Sequence, residues 1–182
     1  MSFDIKFQTL YLPRQNIAID ESFTLWKGRL SLRQYLPLKA SKFGIKTFEL
    51  CETRTGYLWC FLVYTGKITV LQSSLITPDT PKTASIVLEL LEPLCVHGLT
   101  LWIDNFFSSP ELARKLTIEH STDCVGTLRL NRKNVPKEVK YKKLEQGEII
   151  ARHSGPDTVL KWRDKRNATM VSTYHSADTE GF

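Results

Sequence analysis

The sequence lacks the features that mark several protein classes. Its four cysteines, Cys51, Cys60, Cys95 and Cys124, form no C-x-x-C pair and have no histidine at ligand spacing. A structural zinc site is therefore not expected, and the apolar surroundings of each thiol predict a buried, small hydrophobe. No apolar run reaches about 18 residues, and Met1–Lys6 has no uninterrupted apolar stretch. We expect no membrane span, no membrane partner and an intracellular, reducing compartment.

Internal repeats, low-complexity tracts, a glycine-rich phosphate loop and a Ser/His/Asp or Cys/His arrangement are absent as well. What is present is ordinary globular composition: 42% of the 182 residues are hydrophobic, enough for a domain with a core. The net charge is +6. This bias favours a polyanionic partner such as nucleic acid, although many unrelated soluble domains are equally basic.

The pattern from residue 45 predicts a β-meander. Ile45–Cys51 and Tyr57–Tyr64 are rich in aromatic and β-branched residues and flank the turn sequence Arg54-Thr55-Gly56. This arrangement predicts a β-hairpin. A second turn, Thr65-Gly66-Lys67, leads into Ile68–Leu71, which is a third candidate strand.

Helices and buried strands are predicted to alternate after the meander. Thr80 as N-cap, Pro81 at the first helical position and Gly98 as stop signal delimit a helix with one apolar face. Ser109 and Pro110 repeat the start signal. Further strands are predicted at residues 99–103, buried on both faces of a sheet, 124–127, 149–152, 158–162 and 169–173. The order predicts an α/β fold, a mixed sheet with flanking helices.

An acid, Asp104, follows the predicted strand at 99–103. The carboxyl edge of an open α/β sheet is where ligands bind. Two interpretations compete for Asp104. It is either a ligand of a hard metal ion or the first residue of an Asx-type turn that leads into the next helix, and spacing alone favours the turn.

A second acid, Glu52, ends the first strand of the hairpin. If that strand and the strand at 99–103 are neighbours, Glu52 and Asp104 face one another. Two carboxylates converging at about 4–6 Å repel unless a divalent cation bridges them, so the pair predicts a Mg²⁺ site. Taken alone, Glu52 has a simpler interpretation as a solvated hairpin residue.

A basic segment follows Leu128. Seven cationic residues lie within fifteen positions: Arg129, Arg132, Lys133, Lys137, Lys140, Lys142 and Lys143. The segment is either a solvated surface or an arm that contacts phosphates, in which each contact adds salt-dependent affinity. Its first five cations are the candidate DNA-binding residues.

Taken together, ten segments resemble the piggyBac transposase family, and within it the group called piggyBac transposable element-derived protein 4. The segments are Asn16–Ser22, Phe23–Arg29, Arg33–Lys39, Lys42–Lys46, Leu50–Glu52, Thr55–Tyr57, Asp104–Ser109, Gly126–Arg129, Asn131–Lys133 and Ser172–His175. No single one is decisive, but their order and spacing together are specific.

The resemblance implies an RNase H-like fold of the DDE transposase type, in which three acids bind two Mg²⁺ or Mn²⁺ ions for phosphoryl transfer. Asp104 matches the second acid, and Glu52 stands at the position of the first, which is Asp in active members. The family excises DNA through a hairpin and inserts it at TTAA sites. The resemblance thus implies terminal-repeat and TTAA DNA as partners, a nuclear location and a homodimer.

Two departures from the family pattern bear on activity. Glu52 carries its carboxylate one methylene further out, and the third acid is expected downstream of Phe182. We therefore expect an incomplete metal site and an inactive chain. The alternatives are a domesticated DNA- or protein-binding module and a partial gene product. The expected organisation is a lead-in at 1–43, a partial RNase H-like core at 44–128 and the start of an insertion region at 129–182.

Overall fold

The computed structural model describes residues 3–37 and 42–175, with side chains from Lys6 onward. The chain forms two compact units, Met1–Pro93 and Leu94–Phe182. The polar end at 176–181 and part of the motif Arg33–Lys39 lie outside the described residues. The predicted domain boundaries at 43/44 and 128/129 stay a prediction.

Mixed α and β elements make up both units, as the order of predicted elements indicated. The helices are α1 Phe3–Leu10, α2 Lys82–Leu91, α3 Pro110–His120 and α4 Lys137–Tyr141. The strands are β1 Asn16–Leu25, β2 Gln34–Tyr35, β3 Phe43–Glu52, β4 Leu58–Tyr64, β5 Thr100–Ile103, β6 Asp123–Thr127, β7 Ile149–Ser154, β8 Asp157–Arg163 and β9 Asn167–Ser172.

The first unit is built around β3, which has a partner strand along each edge. Along one edge of β3, β1 pairs antiparallel from Ile17↔Glu52 to Leu25↔Gly44. Along the other edge of β3, both β2 and β4 pair antiparallel. The predicted hairpin of β3 and β4 is confirmed. Because both edges of β3 are occupied within this unit, the premise that it is a direct neighbour of the strand at 99–103 is wrong.

Alternation along β1 and β3 places their apolar side chains on one face of this sheet. Ile17, Ile19, Phe48 and Leu50 are buried, and α2 packs against β3 and β4. β1 was not predicted, although its alternating Ile17 and Ile19 carry the period-two signal of a half-buried strand. The buried face of the first unit thus depends on β1, a strand whose alternating pattern was present in the sequence.

Residues 68–71 do not form the predicted third strand. The turn continues instead into a 3₁₀ helix at Gly66–Ile68. The Glu89 carboxylate accepts hydrogen bonds from the backbone N–H groups of Gln72 and Ser73. Within residues 68–71, the Thr69 N–H donates to the Gly66 carbonyl and the Thr69 carbonyl accepts from Lys82 Nζ, so these backbone groups are satisfied without a partner strand.

Helix α2 begins one residue later than predicted, with Pro81 as its N-cap. The hydroxyl of the expected cap, Thr80, accepts instead from the backbone N–H of Thr77. The α-helix ends at Leu91, and one 3₁₀ turn carries the chain to Leu94. The apolar face of α2 is buried as expected.

The second unit contains a mixed sheet in the order β5-β6-β9-β8-β7. β5 and β6 are parallel, and the remaining pairs are antiparallel. Leu101 and Ile103 are buried, but Trp102 is 39% exposed, so the expectation that this strand is buried on both faces is wrong. Ser109 caps α3 as predicted, with its Oγ accepting from the Leu112 N–H at 3.1 Å.

The three strands predicted after residue 148 are confirmed as β7, β8 and β9. They extend the sheet that contains β5 and β6, because β9 pairs with β6 from Val125↔Ser172 to Thr127↔Met170. Lys161 on β8 is buried, and its Nζ donates to the carbonyls of Val139 and Lys142. These bonds fasten helix α4, in the middle of the basic segment, to the sheet.

Gly126 determines how closely β6 approaches the end of β5. It pairs with Ile103, and a Cβ atom at Gly126 would lie 2.5 Å from the Ile103 carbonyl oxygen and 2.9 Å from Ile103 Cγ1. Contacts this short force the backbone apart. Only glycine therefore permits β6 to lie this close to the last residue of β5, next to Asp104.

We expect Gly126→Ala to lower the free energy of unfolding by about 1–3 kcal/mol, the usual cost of overpacking a core. Urea denaturation followed by circular dichroism measures the loss. Thr127→Ala, on the next and exposed position of β6, is the matched control and should stay within about 0.5 kcal/mol of the parent. Equal stability of the two variants would contradict the tight packing.

Candidate active site

Asp104 is exposed directly after β5 and forms an Asx turn. Its Oδ1 accepts a hydrogen bond from the Phe106 N–H at 2.8 Å, and its carbonyl accepts from Phe107 and Ser108. The turn interpretation of Asp104 is confirmed. Among the described residues nothing donates to Oδ2, so the turn leaves one carboxylate oxygen able to meet a cation. The two interpretations of Asp104 are compatible.

The loop that follows Asp104 is held by two arginines of the basic segment. Arg129 Nε donates to the side-chain oxygen of Asn105 at 2.7 Å. Arg132 Nη2 donates to the Asn105 carbonyl at 3.1 Å and to the Phe106 carbonyl at 2.5 Å. These contacts join residues that are 24 to 27 positions apart in the chain. No local sequence pattern predicts them.

Three lysines of the basic segment are placed differently. Lys133 and Lys137 are exposed and donate no hydrogen bond to any described residue, while Lys140 is partly buried with its Nζ 5.4 Å from the ring centroid of Tyr141. Beside them, Glu138 of α4 pairs with Arg152 of β7. The five predicted DNA-binding residues thus divide into two arginines that contact the loop and three lysines that do not.

Glu52 is buried, with 1% of its surface exposed, so the interpretation as a solvated hairpin residue is wrong. Its Oε2 accepts from the Thr55 N–H at 2.8 Å and from the Thr55 hydroxyl at 2.6 Å. The hydroxyl bond is the main reason that the pKa of Glu52 lies below its ordinary value. Burial opposes this shift, and backbone hydrogen bonds and the charge of Arg14 add to it.

The two acids differ in their fit to a divalent cation. Asp104 presents a solvent-facing oxygen, whereas Glu52 is sealed and its Oε2 already accepts two hydrogen bonds. In this arrangement Glu52 does not fit a metal ligand. Within the described ranges, no cluster of three or more His, Cys, Asp or Glu side chains is arranged to hold a metal. Glu52 belongs to the first unit and Asp104 to the second, and their predicted convergence stays a prediction.

The cysteines agree in part with the expectation of buried thiols. Cys60 and Cys124 are buried, and Cys51 and Cys95 are partly exposed. Burial raises the pKa of Cys124 to about 12, so this thiol stays protonated at neutral pH. Burial and the nearby Glu49 and Asp20 carboxylates raise the pKa of Cys51 too. Neither thiol has the lowered pKa of a nucleophile.

Comparison with known proteins identifies the class of protein to which this mixed α/β fold belongs, which is that of the DDE transposases. The family model described as Transposase IS4 matches residues 1–181. The chain belongs to this transposase family, in its piggyBac type, and the predicted RNase H-like fold is confirmed.

A solved relative shows the same architecture. The cryo-EM structure of a piggyBac transposase synaptic complex with hairpin DNA matches with a TM-score of 0.86 and 28% sequence identity. The match covers 97% of this chain and 37% of that protein. The chain therefore spans less than two fifths of its relative's length.

In the described part of the chain, no helix is long and apolar enough to cross a membrane.

We expect Thr55→Val to lower the free energy of unfolding at neutral pH, because it removes the hydroxyl that stabilises the Glu52 carboxylate. The folded pKa of Glu52 lies below its ordinary 4.5. Its contribution is therefore present above pH 4.5 and disappears as pH falls through the folded pKa. The difference in free energy of unfolding between Thr55→Val and the parent should therefore shrink as pH falls. Urea denaturation at a series of pH values measures it.

Two variants control this measurement. Thr55→Ser keeps the hydroxyl and should behave like the parent, whereas Glu52→Gln removes the titrating group and should abolish this part of the pH dependence. A loss for Thr55→Val of the same size at acid and neutral pH would show that the other hydrogen bond of this hydroxyl, which it accepts from the Tyr57 N–H, and not the carboxylate, is responsible.

Proposed function

We propose that the chain is part of the catalytic core of a piggyBac-type transposase, whose ancestral reaction is DNA cleavage and strand transfer at TTAA sites. The placement of Asp104 supports this proposal, since it is exposed at the carboxyl end of β5, where an acid can reach a bound substrate. The solved relative is in complex with hairpin DNA. Terminal-repeat DNA as partner, a nuclear location and a homodimer on DNA belong to the same proposal.

We further propose that the metal site of this chain is impaired at position 52. Family members use Mg²⁺ or Mn²⁺, for which Asp104 and residue 52 are the proposed ligands. The observation that carries this point is the double hydrogen bond from Thr55 to Glu52 Oε2. A cation would have to displace these donors or reach a carboxylate that is buried. We therefore propose that the chain binds DNA without cutting it.

Shortening residue 52 tests the metal part of the proposal. Glu52→Asp moves the carboxylate away from Thr55, and we expect Mn²⁺ affinity to rise about tenfold, the size of effect that surrounding hydrogen bonds exert on metal ligands. Paramagnetic broadening of amide resonances near residues 52 and 104 measures it. Asp104→Ala is the control and should abolish the broadening at both places, while an affinity unchanged by Glu52→Asp would show that Thr55 does not limit the site.

Strand cleavage tests the catalytic state directly. The 182-residue chain should leave terminal-repeat DNA intact in Mn²⁺, as seen by denaturing gel electrophoresis of end-labelled strands. Asp104→Ala is the matched control for contaminating nuclease. Cleavage by the parent that Asp104→Ala abolishes would overturn the non-cutting proposal and show that the chain keeps the ancestral activity.

DNA binding is proposed to use the basic segment. Lys133 and Lys137 are exposed and make no competing hydrogen bond with described residues, so their ammonium groups can neutralise phosphates. The bonds from Lys161 to the carbonyls of Val139 and Lys142 hold helix α4 in place. Because the segment is anchored, less ordering is required when DNA binds.

We expect the triple variant Lys133→Gln, Lys137→Gln, Lys140→Gln to weaken DNA binding and to reduce the slope of log affinity against log salt by about 2–3, since each phosphate contact contributes about 0.9. Fluorescence anisotropy between about 50 and 300 mM salt measures both.

The matched control removes three exposed cations elsewhere, in Lys6→Gln, Lys27→Gln, Lys67→Gln. It has the same net charge as the triple variant and should keep the parental slope. If both triple variants lose the same affinity and slope, binding reflects overall charge, and the basic segment has no special part in it.

A further inference from the structure

We propose that Arg132 is a positioning residue for Asp104, acting through the peptide group that joins Asn105 to Phe106. This inference rests on the proposed function only in that Asp104 is the acid being positioned. All the groups involved belong to the second unit, Leu94–Phe182. The assignment is distinct from phosphate binding, which the sequence pattern alone suggests for this arginine.

The geometry is a relay across one peptide group. Arg132 Nη2 donates to the Asn105 carbonyl oxygen at 3.1 Å, and the N–H at the other end of the same peptide, that of Phe106, donates to Asp104 Oδ1 at 2.8 Å. A cation at the carbonyl end polarises the peptide and strengthens donation by its N–H. One oxygen of Asp104 is therefore held by a reinforced donor.

A second bond determines the direction of the loop. Arg132 Nη2 also donates to the Phe106 carbonyl at 2.5 Å, so one nitrogen bridges two successive carbonyls. Arg129 Nε holds the Asn105 side chain from the exposed side. Two consecutive residues after Asp104 are thus tied to the basic segment. With Oδ1 held, Oδ2 has a defined direction.

The environment of Arg132 differs from that of a cation exposed for phosphate contact. Its side chain is partly buried, and its Nε is buried with no acceptor among the described residues. An unsatisfied buried donor opposes folding, so the site is not one that optimises stability alone. The neighbouring Lys133 is exposed and donates no hydrogen bond to the loop, which makes it a control of equal charge one residue away.

The experiment compares Arg132→Met with Lys133→Met in the whole 182-residue chain. The first readout is hydrogen exchange of the Phe106 amide by NMR without metal. We expect Arg132→Met to accelerate this exchange about tenfold relative to the parent, and Lys133→Met to leave it unchanged. Arg132→Lys, which keeps the charge but not the planar guanidinium, should fall between them.

The second readout is titration with Mn²⁺ alone, followed by broadening near Asp104. Arg132→Met should weaken the affinity about tenfold, because the held carboxylate loses its support, and Lys133→Met should not. Urea midpoints of all variants establish that each is folded. If Arg132→Met does not fold, Arg132→Lys and Arg129→Gln carry the same comparison.

The outcomes separate this inference from the proposed function. Unchanged Phe106 exchange in Arg132→Met overturns the positioning assignment, and if DNA affinity falls there as much as in Lys133→Met, Arg132 is a phosphate contact instead. If the parent binds no Mn²⁺ while Phe106 exchange responds as expected, the positioning stands and the proposed metal site fails.

Discussion

The position of Asp104 depends on the close pairing of β5 with β6. The Ile103–Gly126 pair leaves no room for a side chain at Gly126, and this contact brings the two parallel strands to their end in register. Asp104 follows immediately, and the loop beyond it is tied back to Arg129 and Arg132 just past β6. The acid is therefore held by the sheet on one side and by the basic segment on the other.

The two candidate acids differ in burial and in the donors that they meet. Asp104 is too short to cap more than its own turn, and it keeps an oxygen in solvent. Glu52 reaches forward across the turn to Thr55, three residues later, and accepts hydrogen bonds from its N–H and its hydroxyl. A carboxylate in that position stabilises a turn. The same pair of residues thus combines an acid available for chemistry with one used by the fold.

Local patterns predicted much of the architecture and failed where side chains replaced local signals. Ser109 capped α3 as expected, because its hydroxyl acts on a donor three residues away. The strand expected at 68–71 did not form: the Thr69 N–H bonds back to the Gly66 carbonyl, and the Thr69 carbonyl accepts from Lys82 Nζ. The role of Arg132 was equally out of reach, because its acceptors lie more than 20 residues earlier in the chain.

The sequence by itself determined the mixed α/β order, the acid after β5, the substitution at position 52 and the family, because periodicity, capping and motif order are encoded in neighbouring residues. Only the tertiary structure decided that Glu52 is buried and bonded by Thr55, and that the arginines of the basic segment contact the loop after Asp104 while Lys133 and Lys137 do not. Burial and hydrogen-bond partners depend on which distant segments contact one another, and these contacts cannot be predicted from the order of charges along the chain.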